Sequence, residues 1–309
     1  MRKAAQYICL MCISGAMNLS SGFAQSEDIR ALELFNTYDS NIAGAGMYGR
    51  NALTLRFRQQ WVGFEGAPKM QYISFHRPLG EKMIIGGRVY SDEIGLFKRN
   101  IALASIGYVI ENEAGKLSFA LGGGINSQSF NVNEATLPEN DDELNQLATN
   151  VVSPVILAAV LYRSENWFGG VEVTNLLKSS QTFLEQGIGK QDLHALAQLG
   201  FQKQLNANWD LRPLIAVRWA EKSIVLPEAQ VGFRYQKRIW LGAGMRLNGS
   251  GYGLAEWVMN RRFRLAYAHE WNLNILQDVQ QGSHELMIGF LFGKPTTNSP
   301  SKSSFHSVL

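Results

Sequence analysis

Fourteen short strand-like segments run from residue 52 to residue 292, most of them alternating apolar and polar residues, and arginine recurs on the polar faces. In 263–271, Phe263, Leu265, Tyr267, His269 and Trp271 share one parity; Arg264, Ala266, Ala268 and Glu270 share the other. A period of two is the signature of a β-strand with unlike faces. The same alternation sets Leu53, Leu55 and Phe57 against Thr54, Arg56, Arg58 and Gln60. It also sets Leu211, Ile215, Val217 and Trp219 against Arg212 and Arg218, and Ile239, Leu241, Met245 and Leu247 against Gly242, Gly244 and Arg246. The strands are predicted at 52–62, 70–78, 82–91, 100–110, 117–130, 153–163, 166–174, 193–204, 209–220, 228–237, 239–247, 252–259, 263–271 and 283–292. Many are of the length that crosses a bilayer when tilted, about 9–11 residues. No stretch after the first two dozen residues approaches the roughly 20 apolar residues that a membrane helix needs.

In a membrane setting the arginines dictate the geometry. An arginine facing lipid costs roughly 2–4 kcal/mol at mid-membrane, so the polar faces must line a lumen. An open sheet edge in lipid would leave backbone groups unpaired, so the sheet must close. The expected fold is therefore all-β: a transmembrane antiparallel β-barrel of about fourteen strands over 51–292. Its expected lumen-lining residues are Arg56, Arg212, Arg218, Arg234, Arg246, Arg264, Glu270 and Glu285. The segments Ile101 to Ile110 and Val155 to Tyr162 are apolar on both faces. Something must fill the lumen beside them, and residues 25–50 are the available chain.

Connections and tryptophans agree with a barrel. The even turns are short (Gly80-Glu81, Glu111 to Lys116, Ser164-Glu165, Leu205 to Asn208, Lys237-Arg238, Asn260 to Arg262), whereas 131–152, 175–192 and 272–282 are long. Short turns on one side and long loops on the other is the outer-membrane pattern. All seven tryptophans fall near predicted strand ends. Trp61, Trp219 and Trp271 lie toward the long loops, and Trp167, Trp209, Trp240 and Trp257 toward the short turns, as two interfacial belts would.

The first 24 residues read as a secretory signal: Arg2 and Lys3, an apolar run from Ile8 to Met17, and a small-x-small site at Gly22-Phe23-Ala24. Cleavage there makes Gln25 the first mature residue and takes the formal charge from +3 to +1. A lipid-modified cysteine is the rival reading, but neither Cys9 nor Cys12 follows the small residue that processing wants. Both cysteines lie in this segment, so the mature chain is expected to have no disulfide and no thiol chemistry. No basic stripe, phosphate loop or zinc spacing points to nucleic acid, cofactor or metal. Residues 25–50 form an N-terminal periplasmic or plug segment in this reading. Within it, Asp28 to Phe35 is expected to be a short helix and Asn36 to Gly49 turns and coil. Loop 131–152 carries Glu134, Glu139, Asp141, Asp142 and Glu143, a solvated acidic loop or a cation or partner site. The Ser/Thr/Pro-rich tail, 293–309, is expected to be disordered.

The block Arg58-Gln59-Gln60-Trp61-Val62-Gly63-Phe64-Glu65-Gly66-Ala67-Pro68-Lys69 resembles the signature R-x-Q-W-x-G-F-x-G-A-P of the PorP/SprF family, outer-membrane proteins linked to the type IX secretion system of the Bacteroidota. Other pieces are similar in order: Phe35-Asn36 with Asn41 and Ala43-Gly44, His76-Arg77-Pro78-Leu79, Asp92-Glu93-Ile94-Gly95, Asn175-Leu176-Leu177, and Gly282-Ser283-His284-Glu285-Leu286 with Phe290 and Phe292. Asn36-Thr37 and Asn41-Ile42 stand where relatives carry Asn-Pro, and the chain continues past Phe292 where relatives end. The resemblance implies a non-enzymatic protein that helps a cargo with a C-terminal sorting domain across the outer membrane, or holds it at the surface, as for adhesins of gliding motility. Periplasmic ring components or peptidoglycan-binding lipoproteins would be its other partners. Arg58, Trp61, Gly63, Phe64, Gly66, Ala67 and Pro68 are then the candidate partner-binding residues, either in that role or as a structural corner.

Two other classes compete. An arginine-lined lumen of fourteen strands would suit a channel or hydrophobic-solute transporter, unless those arginines merely neutralise the inward Glu256, Glu270 and Glu285. A barrel hydrolase would need a Ser–His–acid constellation. Ser283, His284 and Glu285 are adjacent, and alternation turns His284 away from its neighbours, so no catalytic residue is expected.

Overall fold

The computed structural model describes residues 30–32, 35–130, 150–177, 192–221, 225–272 and 281–295. The expected signal peptide, the five acids of loop 131–152 and the tail beyond residue 295 lie outside these residues, as do 28–29 and 33–34 of the expected first helix.

The strands are β1 (Asn51–Gln59), β2 (Lys69–Leu79), β3 (Met83–Ile94), β4 (Phe97–Asn112), β5 (Gly115–Phe130), β6 (Asn150–Arg163) and β7 (Trp167–Thr174). They continue as β8 (His194–Phe201, resumed after Gln202 as Lys203–Gln204), β9 (Trp209–Ala220), β10 (Val225–Tyr235), β11 (Ile239–Arg246), β12 (Ser250–Val258), β13 (Phe263–Asn272) and β14 (Ser283–Phe292). Each pairs antiparallel with its sequence neighbours, and β1 pairs with β14 from Asn51↔Phe292 to Gln59↔His284, so the sheet closes on itself. The result is a fourteen-stranded antiparallel barrel with no free edge, the form a sheet must take in lipid. Among the described residues no helix is long and apolar enough to cross a membrane.

Alternation holds strand by strand. In β13, Arg264, Ala266, Ala268 and Glu270 are buried inside, while Phe263, Leu265, Tyr267 and Trp271 are exposed outside. The outer wall is a field of exposed apolar side chains, among them Ile73, Val89, Ile106, Leu121, Ile215, Leu241 and Met245. On a water-soluble protein such a surface would aggregate; on a barrel it faces acyl chains.

Two expectations need correction. The sorting of connections by length is incomplete, because β3–β4 turns in two residues, Gly95-Leu96, and β11–β12 in three, Leu247 to Gly249, on the side that carries the long loops. Gly95 and Gly249, at φ +56° and +82°, make those tight reversals possible. Trp240 does not belong to the outer belt: it is 1% exposed and faces the lumen. Its parity in β11 is that of Gly242, Gly244 and Arg246, and parity overrides nearness to a strand end. Trp167, Trp209 and Trp257 at the short-turn end and Trp219 and Trp271 at the other are exposed outward.

Residues 31–32 and 35–50 pack against the inner wall. Where turns and coil were expected, Asn36 caps a single helical turn, α1 (Thr37–Ser40), and Asn41 caps a 3-10 turn (Ile42–Gly44), each side-chain oxygen accepting an amide two residues on. Tyr38, Ile42, Ala43 and Ala45 join one apolar cluster with Ile84 of β3, Ala120 of β5, Val155, Leu157 and Leu161 of β6, and Phe168 of β7. Ala31, Leu32 and Phe35 join another with Trp240, Tyr252, Leu254 and Met287.

Candidate functional site

Inward-facing polar residues on β1, β2, β9, β10, β11, β13 and β14 meet in one continuous run of ion pairs. It begins at Asp39 in α1, fully buried, whose carboxylate pairs with Arg56 at 2.7 Å and accepts the hydroxyls of Tyr72 and Ser74 at 2.6 and 2.9 Å. Arg56 lies 3.5 Å from Glu285, which also pairs with Arg58 at 3.3 Å and accepts the amides of Ala31 and Leu32. Arg58 reaches Glu270 at 3.1 Å, Glu270 pairs with Arg246 at 2.8 Å, and Arg246 with Glu228 at 3.3 Å. Glu228 ends the run at Arg218 and accepts the hydroxyl of Tyr252. The run alternates in sign, as charges removed from bulk water must if each is to keep a partner.

A second centre lies on the opposite wall. Glu172 of β7 pairs with Arg88 of β3 at 3.0 Å and accepts the amide of Ile42 at 2.6 Å, while Arg88 also donates to the carbonyl of Tyr38. Asn36 donates to Thr54 at 2.9 Å, Asn41 to the carbonyl of Val160 at 3.1 Å, and the Tyr38 hydroxyl bonds Ser105 at 2.9 Å. Burial pushes the Tyr38 phenol above its ordinary range, opposed by the charge of Arg88. Tyr38 fits only because position 86 is glycine: a Cβ there would stand 2.4 Å from its hydroxyl oxygen.

Of the expected lumenal residues, Arg56, Arg218, Arg246, Glu270 and Glu285 are brought together in the run, joined by Arg58. Arg234 lies apart, paired with Asp210 at 2.7 Å. Arg264 lies 3.6 Å from Glu256, and the Arg212 guanidinium sits over Phe168 and Trp240. Sequence reasoning missed Asp39, Arg88, Glu172, Asp210 and Glu228. For the four strand residues the signal was present, since each shares the inward parity of its strand. Asp39 belongs to no strand and carries no such mark.

The block Arg58–Lys69 divides in two. Arg58 is buried in the run, Ala67 and Pro68 are buried at the loop's return, and Trp61, Gly63, Phe64 and Gly66 form the loop itself. The loop is tied on both flanks. Val62 exchanges backbone bonds with the β13–β14 connection, Val62 N–H to Gly282 O at 2.9 Å and Gln281 N–H to Val62 O at 2.8 Å. Gly95 N–H donates to Gly66 O at 2.9 Å, tying it to the β3–β4 turn. Trp61, at φ +43°, donates its amide to Ser283 Oγ, and Phe64 stands 57% exposed at the loop's crest. His284 faces outward, bonding the Tyr267 hydroxyl at 2.6 Å, and so is turned away from Ser283 and Glu285.

Among solved structures, the chain is similar to the Acinetobacter baumannii outer membrane protein Omp33 (6% identity, 79% of this chain and 98% of that one, TM-score 0.49). It is also similar to the translocator domain of the autotransporter NalP from Neisseria meningitidis (12% identity, 95% and 96% covered, TM-score 0.37). No curated protein matches it. The family described as type IX secretion system membrane protein PorP/SprF matches residues 28–290. A closed barrel with an apolar outer wall, an ion-paired lumen and that match along almost its whole length place this chain in the outer membrane, as a member of the PorP/SprF family of type IX secretion.

Proposed function

We propose that this protein is a non-enzymatic accessory of type IX secretion, assisting the export or surface attachment of a cargo protein with a C-terminal sorting domain. The observation that carries this reading is the use made of the lumen. Residues 35–48 lie across inward-facing side chains of β1, β2, β3 and β7 and hydrogen-bond to them, and Asn41 donates to the backbone carbonyl of Val160 on β6. In this reading they close the barrel as a plug, and the working surfaces are its two rims. The tied first loop, with Phe64 at its crest, then contacts cargo outside. The short turns face a periplasmic ring or peptidoglycan-binding lipoproteins.

The test is affinity purification from outer membranes in mild detergent. Recovery of a large surface protein with a C-terminal sorting domain supports a cargo anchor; recovery of periplasmic components supports a subunit of the machine. Recovery of the barrel alone, together with normal surface attachment of every type IX cargo after deletion, sinks the proposal. Steady single-channel conductance by the purified protein would then favour a channel or hydrophobic-solute transporter.

A further inference from the structure

Charge is matched through the middle of the lumen but not at its short-turn end, which is the periplasmic end in the outer-membrane pattern. There Arg163 closes β6, Arg212 lies near the start of β9 beside Asp210, Arg234 near the end of β10, Arg264 near the start of β13, and Asp210 and Glu256 are the acids of β9 and β12. Asp210 is committed to Arg234, whose Nε and Nη2 both approach it to 2.7 Å. Glu256 stands 3.6 Å from Arg264, beyond a hydrogen bond. Arg163 is 7% exposed, and its Nε and Nη1 have no hydrogen-bond partner among the described residues. Glu111, whose charge reaches Arg163, is half exposed and held by Lys116 at 2.8 Å. Asp39, whose charge reaches Arg264, is committed to Arg56, Tyr72 and Ser74.

Tyr48 and His76 gather these cations. Their rings stack at 5.6 Å, Arg264 sits 4.9 Å over the Tyr48 ring and is hydrogen-bonded to Tyr48, and the charges of Arg264, Arg88 and Arg163 all bear on His76. His76 Nδ1 accepts the amide of Gly46 at 2.9 Å, so the ring proton is on Nε2. That Nε2–H is a buried donor with no partner among the described residues. Buried donors and guanidiniums ordinarily find acceptors, and a guanidinium fork matches an oxyanion with two parallel bonds. The geometry points to an oxyanion-binding site at the periplasmic end of the lumen, built by Arg163, Arg264 and His76 around Tyr48, for a small phosphate or carboxylate group.

The site is independent of the cargo reading and is tested on the full mature chain in detergent. Sodium phosphate and sodium acetate are titrated against sodium chloride at matched pH and ionic strength, following the thermal midpoint. A saturable rise with phosphate or acetate, and none with chloride, is the expected result; phosphate alone would assign a phosphoryl ligand, both a ligand of either kind. Arg163→Gln should weaken the response at least tenfold, and Lys237→Gln, in an exposed turn, should leave it unchanged. If Arg163→Gln does not fold, Arg163→Lys keeps the charge without the fork and should still weaken binding. Equal responses to all three salts, or a response untouched in the Arg163 variants, would overturn the site.

Discussion

Asp39 and Arg56 meet at 2.7 Å with both side chains fully buried, one in the N-terminal segment and the other in the first strand. Removing one member of such a pair leaves the other charged and out of water, at a cost of about 3–5 kcal/mol. Asp39→Asn should therefore loosen the segment's hold on the inner wall. The expected outcome is faster cleavage within residues 31–50 when protease is applied to membrane-embedded protein. An unchanged cleavage rate would mean that the pair does not hold the segment.

Gly86 makes room for Tyr38. Gly86→Ala forces Tyr38 to shift, because the new methyl would stand 2.4 Å from its hydroxyl oxygen. Gly86→Ala and Tyr38→Ala should each destabilise the protein, and the double variant should lose less than the two losses added, since the clash disappears with the ring. Midpoints of urea unfolding measure this; simple additivity would count against it.

Trp240 and Trp209 are both tryptophans near the start of a strand, but on opposite faces. Trp240 is 1% exposed, packs edge-on to Phe35 at 6.3 Å and lies under Arg234 at 5.1 Å. Trp240→Ala should cost about 3–5 kcal/mol, the range for emptying a packed site of a large aromatic. Trp209→Ala, at a 38% exposed interfacial site, should cost clearly less. Equal losses in denaturant unfolding would contradict an inward Trp240 and an outward Trp209.

Phe64 contacts solvent more than protein, so Phe64→Ala should leave the thermal midpoint unchanged. If the first loop grips cargo, the same variant should lower the amount of cargo retained on whole cells. Gly66→Val should reduce retention through the loop's shape instead. Its φ of +70° disfavours a β-branched residue, and a Cβ would come 3.3 Å from the Cα of Gly95. Surface labelling of the cargo reads both variants.

The strands were legible to a degree unusual for irregular chains. Predicted limits for β9 and β14 coincide with the observed Trp209–Ala220 and Ser283–Phe292. Elsewhere they differ by a few residues, as at β4, which begins at Phe97 rather than at residue 100. Trp240 was misplaced because closeness to a strand end was weighed above parity, although Gly242 and Arg246 already marked its face. The odd connections, expected to be mostly the longer ones, include the two-residue Gly95-Leu96, because a positive-φ glycine lets a turn close in two residues whichever rim it occupies.

What the sequence determined by itself was the barrel: strand count, inward and outward faces, and the need for closure. Lipid imposes those choices locally, since each outward residue must be apolar and each backbone group paired, so a two-residue period carries the information. The tertiary structure alone decided which charges meet. Asp39 finds Arg56, Ile42 finds Glu172 across 130 positions, and Glu285 finds the amide of Ala31 across 254. No period in the chain encodes such partners. They are fixed by barrel diameter, strand register and the path of one short segment across the lumen, and these exist only after the sheet has closed.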